Sequence, residues 1–188
     1  MIEIVPYRDS WPDEFLQIGK IICEALGEDA LAIHHIGSTS VPGLDAKNVI
    51  DIQVTVADLE LPIEARLSSA GFSRVERILT DHCPPGMILA SAELDKRVYG
   101  FTGRRVHLHV RAAGRFNQRY ALLCRDYLRS HPRAADAYAE IKRQLARYFP
   151  DDVGAYYDIK DPVFDVLMAA AEEWAKHVAW TLPGSDVD

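Results

Sequence analysis

The sequence predicts an α+β fold, because two hydrophobic periods divide the chain. Up to Arg111, apolar and polar residues alternate in short runs separated by turns rich in glycine and proline, the period of half-buried strands. From Phe116 onward, apolar residues recur every three or four positions, the period of helices. Segregated elements of this kind fit a mixed β-sheet flanked by helices, with a helical C-terminal part. The expected domain is 1–180, followed by a polar, flexible tail at 181–188.

The elements follow in order. Ser10-Trp11-Pro12-Asp13 has a capping hydroxyl, a proline in the first turn and an acid, which start a helix running to about Leu26 and ending at Gly27. Ala30 to Ile36 reads as a strand, then a Gly-Ser turn, then a strand from Ile50 to Val56. Leu59 to Ala70 reads as a helix closed by Gly71. Phe72–Leu79, Met87–Ala90, Arg97–Thr102 and Arg105–Arg111 read as further strands. The stripe Tyr120, Leu123, Cys124, Tyr127, Leu128 is broken at His131-Pro132, and Ala135, Tyr138, Ile141, Leu145, Tyr148 forms another that ends at Phe149-Pro150. A last helix is expected over Asp161 to Trp180, with Pro162 in its first turn.

Composition narrows the function classes. The chain has 188 residues, enough for one sizeable core, and 26% are charged. It contains no long apolar run and no basic-then-apolar start, so neither membrane spanning nor secretion is expected. Cys23, Cys83 and Cys124 lack CxxC spacing and fit a reducing cytoplasm, as small buried thiols. Lys96 to Arg147 holds 13 basic and 3 acidic residues inside a chain of net charge −7. That block suggests a local anion site, or arginines paired with acids elsewhere, and argues against a nucleic-acid partner.

The chemistry concentrates in His35-Ile36-Gly37-Ser38-Thr39-Ser40-Val41-Pro42-Gly43 and Ile50-Asp51-Ile52-Gln53-Val54. A glycine followed by hydroxyls lets backbone N–H groups approach an anion, so Gly37, Ser38 and Thr39 are candidate phosphate binders. Asp51, Gln53 and Thr55 share one face of their strand, opposite Ile50, Ile52, Val54 and Val56. A carboxylate in so apolar a strand is costly to bury unless it meets a metal or a cation. The bland alternative is an exposed aspartate on a half-open face. His107 and His109 share one strand face with Arg105 and Arg111, a workable spacing for two ligands of one ion. Asp51, His107 and His109 are thus the candidate catalytic and metal-binding residues, provided their strands are neighbours. Lys47 and Arg105 are candidates to neutralise phosphate. Leu44-Asp45 stands where a P-loop needs Lys and Ser or Thr, which excludes that motif. His34 and His35 point to opposite faces, one of them to support the turn. Arg125 and Arg129, one helical turn apart, either clamp an anion or pair with acids.

The run His35 to Leu44, with Ala46-Lys47, Ile50-Asp51-Ile52, His107-Leu108-His109-Val110, Arg125-Asp126-Tyr127-Leu128-Arg129 and His131-Pro132, resembles the GrpB family, also called UPF0157. Tyr138, Lys142, Tyr156 and Lys160 recur as well, and the resemblance extends to about Trp174. The chain departs at His34, where the family usually has an acid, and at Asn48, where proline is common. The resemblance implies a nucleotidyltransferase-like fold. Related domains fused behind dephospho-CoA kinase in some bacteria imply a nucleotide or coenzyme A connection.

The usual nucleotidyltransferase site holds two divalent ions on two or three carboxylates. Here Gln53 stands at the second acidic position and an imidazole at the third, and imidazole favours softer ions than Mg²⁺. The expectation is a divergent nucleotidyltransferase-like protein that binds a nucleotide or phosphate ester, with transfer dependent on one divalent metal (Mn, Zn or Mg). The alternative is a non-catalytic nucleotide- or coenzyme A-related module, or a partner of a metabolic enzyme.

Overall fold

A computed structural model describes residues 1–187. Five strands form one sheet in the order β1-β2-β5-β4-β3: β1 (Ala32–Ile36), β2 (Ile50–Val56), β3 (Phe72–Arg74), β4 (Arg97–Phe101) and β5 (Val106–Ala112). β2 and β5 are parallel, and every other pair is antiparallel. The helices are α1 (Trp11–Leu26), α2 (Glu64–Ser69), α3 (Phe116–Ser130), α4 (Pro132–Tyr148) and α5 (Val153–Val178).

The strand alternation sorts the layers. Ile50, Ile52, Val54 and Val56 are buried in one cluster with Val106, Leu108 and Val110, against Trp11, Phe15, Ile18, Ile22 and Leu26 of α1 and Leu67 of α2. The polar face of β2 and β5 looks the other way, toward α3, α4 and α5. Those helices pack on one another through Leu128, Ala135, Tyr138 and Ala139, and through Leu123, Cys124, Met168 and Ala171. A second burial on the polar face is what turns it into a cleft rather than a wet surface.

Several elements differ from the sequence reading. Ser10 is itself helical and donates to the Glu14 carboxylate at 2.7 Å instead of capping a backbone N–H. α2 starts later than Leu59, because Asp58 accepts from the N–H of Glu60 at 2.8 Å and folds that stretch into a turn before Pro62. β3 stops at Arg74, and Met87–Ala90 forms no strand, since Met87 and Ile88 are exposed and no neighbour pairs with the segment. α5 begins at Val153, where Asp152 caps the N–H of Ala155 at 2.9 Å, so Pro162 lies inside the helix. The carbonyl of Asp158, deprived of its N–H partner by that proline, belongs to an exposed residue that water can reach.

The largest correction concerns the tail. Residues 184–187 lie along the outer edge of β1 instead of hanging free, while Asp188 falls outside the described residues. Asp186 N–H donates to Ile33 O at 2.8 Å, and its carboxylate accepts from His35 N at 2.9 Å and from Arg125 at 2.8 Å. Val187 is buried against α1 and Ile33. Arg125 also bonds Asp126 and the carbonyl of His35, and Arg129 donates to Ser40 O at 3.0 Å, so both arginines are structural. Most of the basic block behaves likewise. Arg104 pairs with Glu14, Arg115 with Glu93, Arg119 with Glu172 and Arg143 with Asp45. Cys23, Cys83 and Cys124 are all free thiols. No helix among the described residues is long and apolar enough to cross a membrane.

Asp186→Ala orphans the His35 N–H and half-strips the buried Arg125. We expect it to cost about 2 kcal/mol, as for other hydrogen bonds to charged groups, measured by urea unfolding.

Candidate functional site

The parallel pairing of β2 with β5 sets Asp51 opposite His107, Gln53 opposite His109 and Thr55 opposite Arg111. The strands on which the metal reading depended are therefore adjacent. His107 Nδ1–H donates to Asp51 Oδ1 at 3.0 Å, and His109 Nε2 lies 4.0 Å from the same oxygen. One ligand atom from each of the three residues falls within 4.8 Å of the others. Burial alone would raise the Asp51 carboxyl, but the His107 hydrogen bond and the surrounding imidazoles hold it below its ordinary value. Burial, aided by the Arg111 and Lys96 charges, pushes His109 down to about 3, so its ring is the neutral form that a metal requires. Asp51 has no lysine or arginine within ion-pair distance among the described residues.

Gly37 closes this corner. Its φ is +69°, and a Cβ there would strike the Asp51 side chain, whose own Cβ would lie 2.9 Å away. The Gly-Ser turn can pass over the carboxylate only because residue 37 has no side chain. Behind it, His35 stacks on Phe15 at 4.8 Å and its Nε2–H donates to Thr39 Oγ1 at 3.0 Å. Thr39 Oγ1–H in turn donates to Val49 O at 3.1 Å, and Ser40 donates to Gly37 O at 2.6 Å. Both hydroxyls brace the turn. Ser38 points instead to Lys142, whose Nζ donates to its Oγ at 2.9 Å.

The turn and the triad line a cleft of about 410 Å³, closed on its far side by α3, α4 and α5. Tyr120, Tyr138, Tyr156, Tyr157, Phe116 and Phe164 supply an aromatic wall. Lys47, Lys142 and Lys160 enter it over those rings: Lys47 is 3.8 Å from the Tyr156 centroid, Lys142 is 4.6 Å from Tyr138, and Lys160 is 5.3 Å from Tyr157. Among the described residues, only Lys160 of the three has a carboxylate partner, Asp161 at 2.9 Å. Burial and the neighbouring Lys160 charge push Lys47 down to about 8 and Lys142 down to about 7. Arg105, the remaining candidate phosphate binder, is exposed just before β5 and outside the cleft lining.

Gln53 is held at both ends of its amide: Oε1 accepts from Arg111 at 2.6 Å and Nε2 donates to Gln118 O at 3.1 Å, which turns it toward the framework rather than toward Asp51. Arg111 in turn forks onto Asp81 at 2.8 and 3.0 Å, and Lys96 meets the same carboxylate at 2.5 Å. Burial would raise Asp81, but these two cations hold it well below the usual carboxylate range. His34 faces the tail, its Nε2 at 3.0 Å from Gly184 O, and takes no part in the cleft.

Lys142 and Lys160, named above only for the family resemblance, are site residues that local spacing alone does not single out. A signal existed for the first. Lys142 lies four residues after Tyr138 and three before Leu145, on the buried stripe of α4, and a lysine in such a stripe needs a partner inside. Lys160 was hidden because its helix appeared to start after it.

A mixed sheet with helices on both faces, carrying a Gly-Ser turn against a strand aspartate, defines the class: an α+β domain with one polar cleft on the sheet. The chain belongs to the GrpB protein family, whose profile matches residues 1–170. It is similar to the crystal structure of conserved protein GrpB from Enterococcus faecalis, with a TM-score of 0.71 and 27% identity over 92% of this chain and 99% of that one. It is 35% identical to a UPF0157 protein of Pseudomonas aeruginosa over 94% of this chain and 70% of the relative. It is also 35% identical to a dephospho-CoA kinase of Mycobacterium tuberculosis, over 94% of this chain but 47% of the relative. The chain thus spans about half the length of the dephospho-CoA kinases it matches.

Two outcomes follow. Gly37→Ala should destabilise the fold by about 1–2 kcal/mol from its left-handed backbone alone, with the Asp51 collision added, as read by thermal and urea unfolding. Lys142 titrates near 7 folded but near 10.5 unfolded, so between those values the unfolded chain holds more protons and stability rises with pH. In Lys142→Met that part of the rise should vanish when unfolding free energies are compared at the two ends of the window.

Proposed function

We propose that the cleft binds a phosphate-bearing small molecule, a nucleotide or a coenzyme A-related ester, together with one divalent ion held by Asp51, His107 and His109. The observation that carries this reading is the pairing, in one cleft, of three lysines that hold a single carboxylate partner among the described residues with a carboxylate whose ion-pair neighbours there are imidazoles. Lysines that repel one another gain from an anion between them. The aromatic wall suits a base or another planar group.

The donor set fits an ion. Two imidazoles and a carboxylate match Zn²⁺ or Mn²⁺ better than Mg²⁺, and three protein ligands leave a position for substrate. Gly37 keeps the Asp51 oxygens clear of any side chain on that flank. Such an ion, when bound, supplies charge neutralisation at a phosphate oxygen. Lys47 and Lys160 hold the remaining phosphate charge, and Gly37, Ser38 and Lys142 line the cleft beside them. Thr39 keeps the turn in shape rather than meeting the ligand, and Arg105 acts from outside as a long-range positive charge. The match to dephospho-CoA kinases supports a ligand of nucleotide or coenzyme A chemistry.

A second reading, a binding module without turnover, is favoured by Gln53, which occupies the second carboxylate position with its amide bonded to Arg111 and Gln118.

Thermal shift separates the two. The wild-type chain and Asp51→Asn would be titrated with nucleoside triphosphates and coenzyme A, with and without Zn²⁺, Mn²⁺ and Mg²⁺. A ligand at one hundred times its Kd stabilises by about 2.7 kcal/mol, enough to move Tm visibly. We expect a metal-dependent shift that Asp51→Asn abolishes. A shift indifferent to both metal and Asp51 favours the binding module, and no shift with any of these ligands rejects both readings.

A further inference from the structure

Of the three consecutive hydroxyls in the turn, Ser38 alone is bonded to an amine. Thr39 and Ser40 donate hydrogen bonds to the carbonyls of Val49 and Gly37, whereas Ser38 Oγ lies 2.9 Å from Lys142 Nζ and lines the cleft with Asp51 and Lys47. Lys142 is buried at 2% exposure and has no carboxylate within ion-pair distance among the described residues. The Asp45 carboxylate goes to Arg143 at 2.5 Å, and only the Asp45 carbonyl reaches Lys142, also at 2.5 Å. An amine in this setting is costly to keep charged. In its neutral form it has two N–H groups and one lone pair. One N–H satisfies the Asp45 carbonyl, and the lone pair can face the Ser38 hydroxyl.

We propose that Ser38 and Lys142 are a nucleophile and its general base, and that Ser38 takes a phosphoryl group from a phosphate ester held in the cleft. The inference rests on the reading of the cleft as a phosphate-ester site, and goes beyond it by assigning covalent chemistry to the turn. Lysine serves as the base toward serine in other nucleophile pairs, so the combination is chemically sufficient. In the first step Lys142 accepts the Ser38 proton, the Oγ–P bond forms, and the P–O bond to the leaving group breaks. The leaving oxygen keeps the electron pair and takes the proton from the Lys142 ammonium. In the second step water attacks phosphorus, its proton passes to Lys142, and the departing Ser38 oxygen is reprotonated from that ammonium. Serine and neutral amine are both restored, with water as the only co-reactant.

The test uses a fluorophosphonate reagent, which needs neither nucleotide nor metal, so its outcome is separable from the binding titration. The full chain is incubated with the reagent and read by intact mass and peptide mapping. One adduct on Ser38 is expected, absent in Ser38→Ala, with a labelling rate that rises through a midpoint near 7, where Lys142 loses its proton. Lys142→Arg keeps a cation and its hydrogen bonds but offers no lone pair, and Lys142→Met keeps the volume. Labelling should fall by about 100-fold or more in each, the lower end of what general-base catalysis contributes. Cooperative unfolding of the variants confirms their fold, and the wild-type pH profile carries the test if either fails to fold. No adduct on Ser38, an adduct mapped elsewhere, a flat pH profile, or undiminished labelling in a folded Lys142→Arg would each overturn the pair.

Discussion

The parallel ladder between β2 and β5 is the constraint on which the rest depends. Its register puts Asp51 beside His107 and one step from His109. It also aligns two apolar faces, Ile50 to Val56 and Val106 to Val110, for burial under α1. A slip of one residue in either strand would turn that strand over, sending Asp51 or the two imidazoles into that core and apolar side chains into the cleft. The chemistry of one face is thus locked by the hydrophobicity of the other. The crossover between these strands also carries α2, β3 and β4, so the rest of the sheet is assembled along the way.

Burial on the polar side then decides which charges are structural and which are left over. Asp81, Arg111, Lys96 and Gln53 satisfy one another completely enough to be treated as framework. Arg104 does the same where α1 meets the Asn48 loop, with bonds to Glu14 and Asn48. What remains is Lys47, Lys142 and Lys160 above the aromatic rings and Asp51 among the histidines. Leftover charge of opposite sign within one cleft is the arrangement from which a ligand gains most.

The two strand faces were legible because alternation in β2 and β5 leaves no choice of side. Their adjacency was not, since about fifty residues of intervening chain separate them, and no local pattern encodes a parallel neighbour. Helix α5 was misjudged because proline is favoured in a first turn, and Pro162 read as a start when Asp152 was the cap. Lys160 and Tyr157 were lost with that turn. Thr39 looked equivalent to Ser38 in the turn, yet a bond to His35, four residues earlier, takes it out of the cleft's chemistry. The tail read as flexible from its polar composition, whereas Ser185 and Asp186 direct their polar groups onto β1.

That docking has a consequence for how the molecule meets others of its kind. An outer strand such as β1 presents backbone groups that invite a further strand from another chain. Here the N–H of Ile33 is taken by the Ser185 hydroxyl and that of His35 by the Asp186 carboxylate, while the carbonyl of Ile33 receives the Asp186 N–H. Side chains do much of what a sixth strand would do with its backbone. They offer no repeating ladder of their own, so the edge is closed without creating a new one for the next molecule to join.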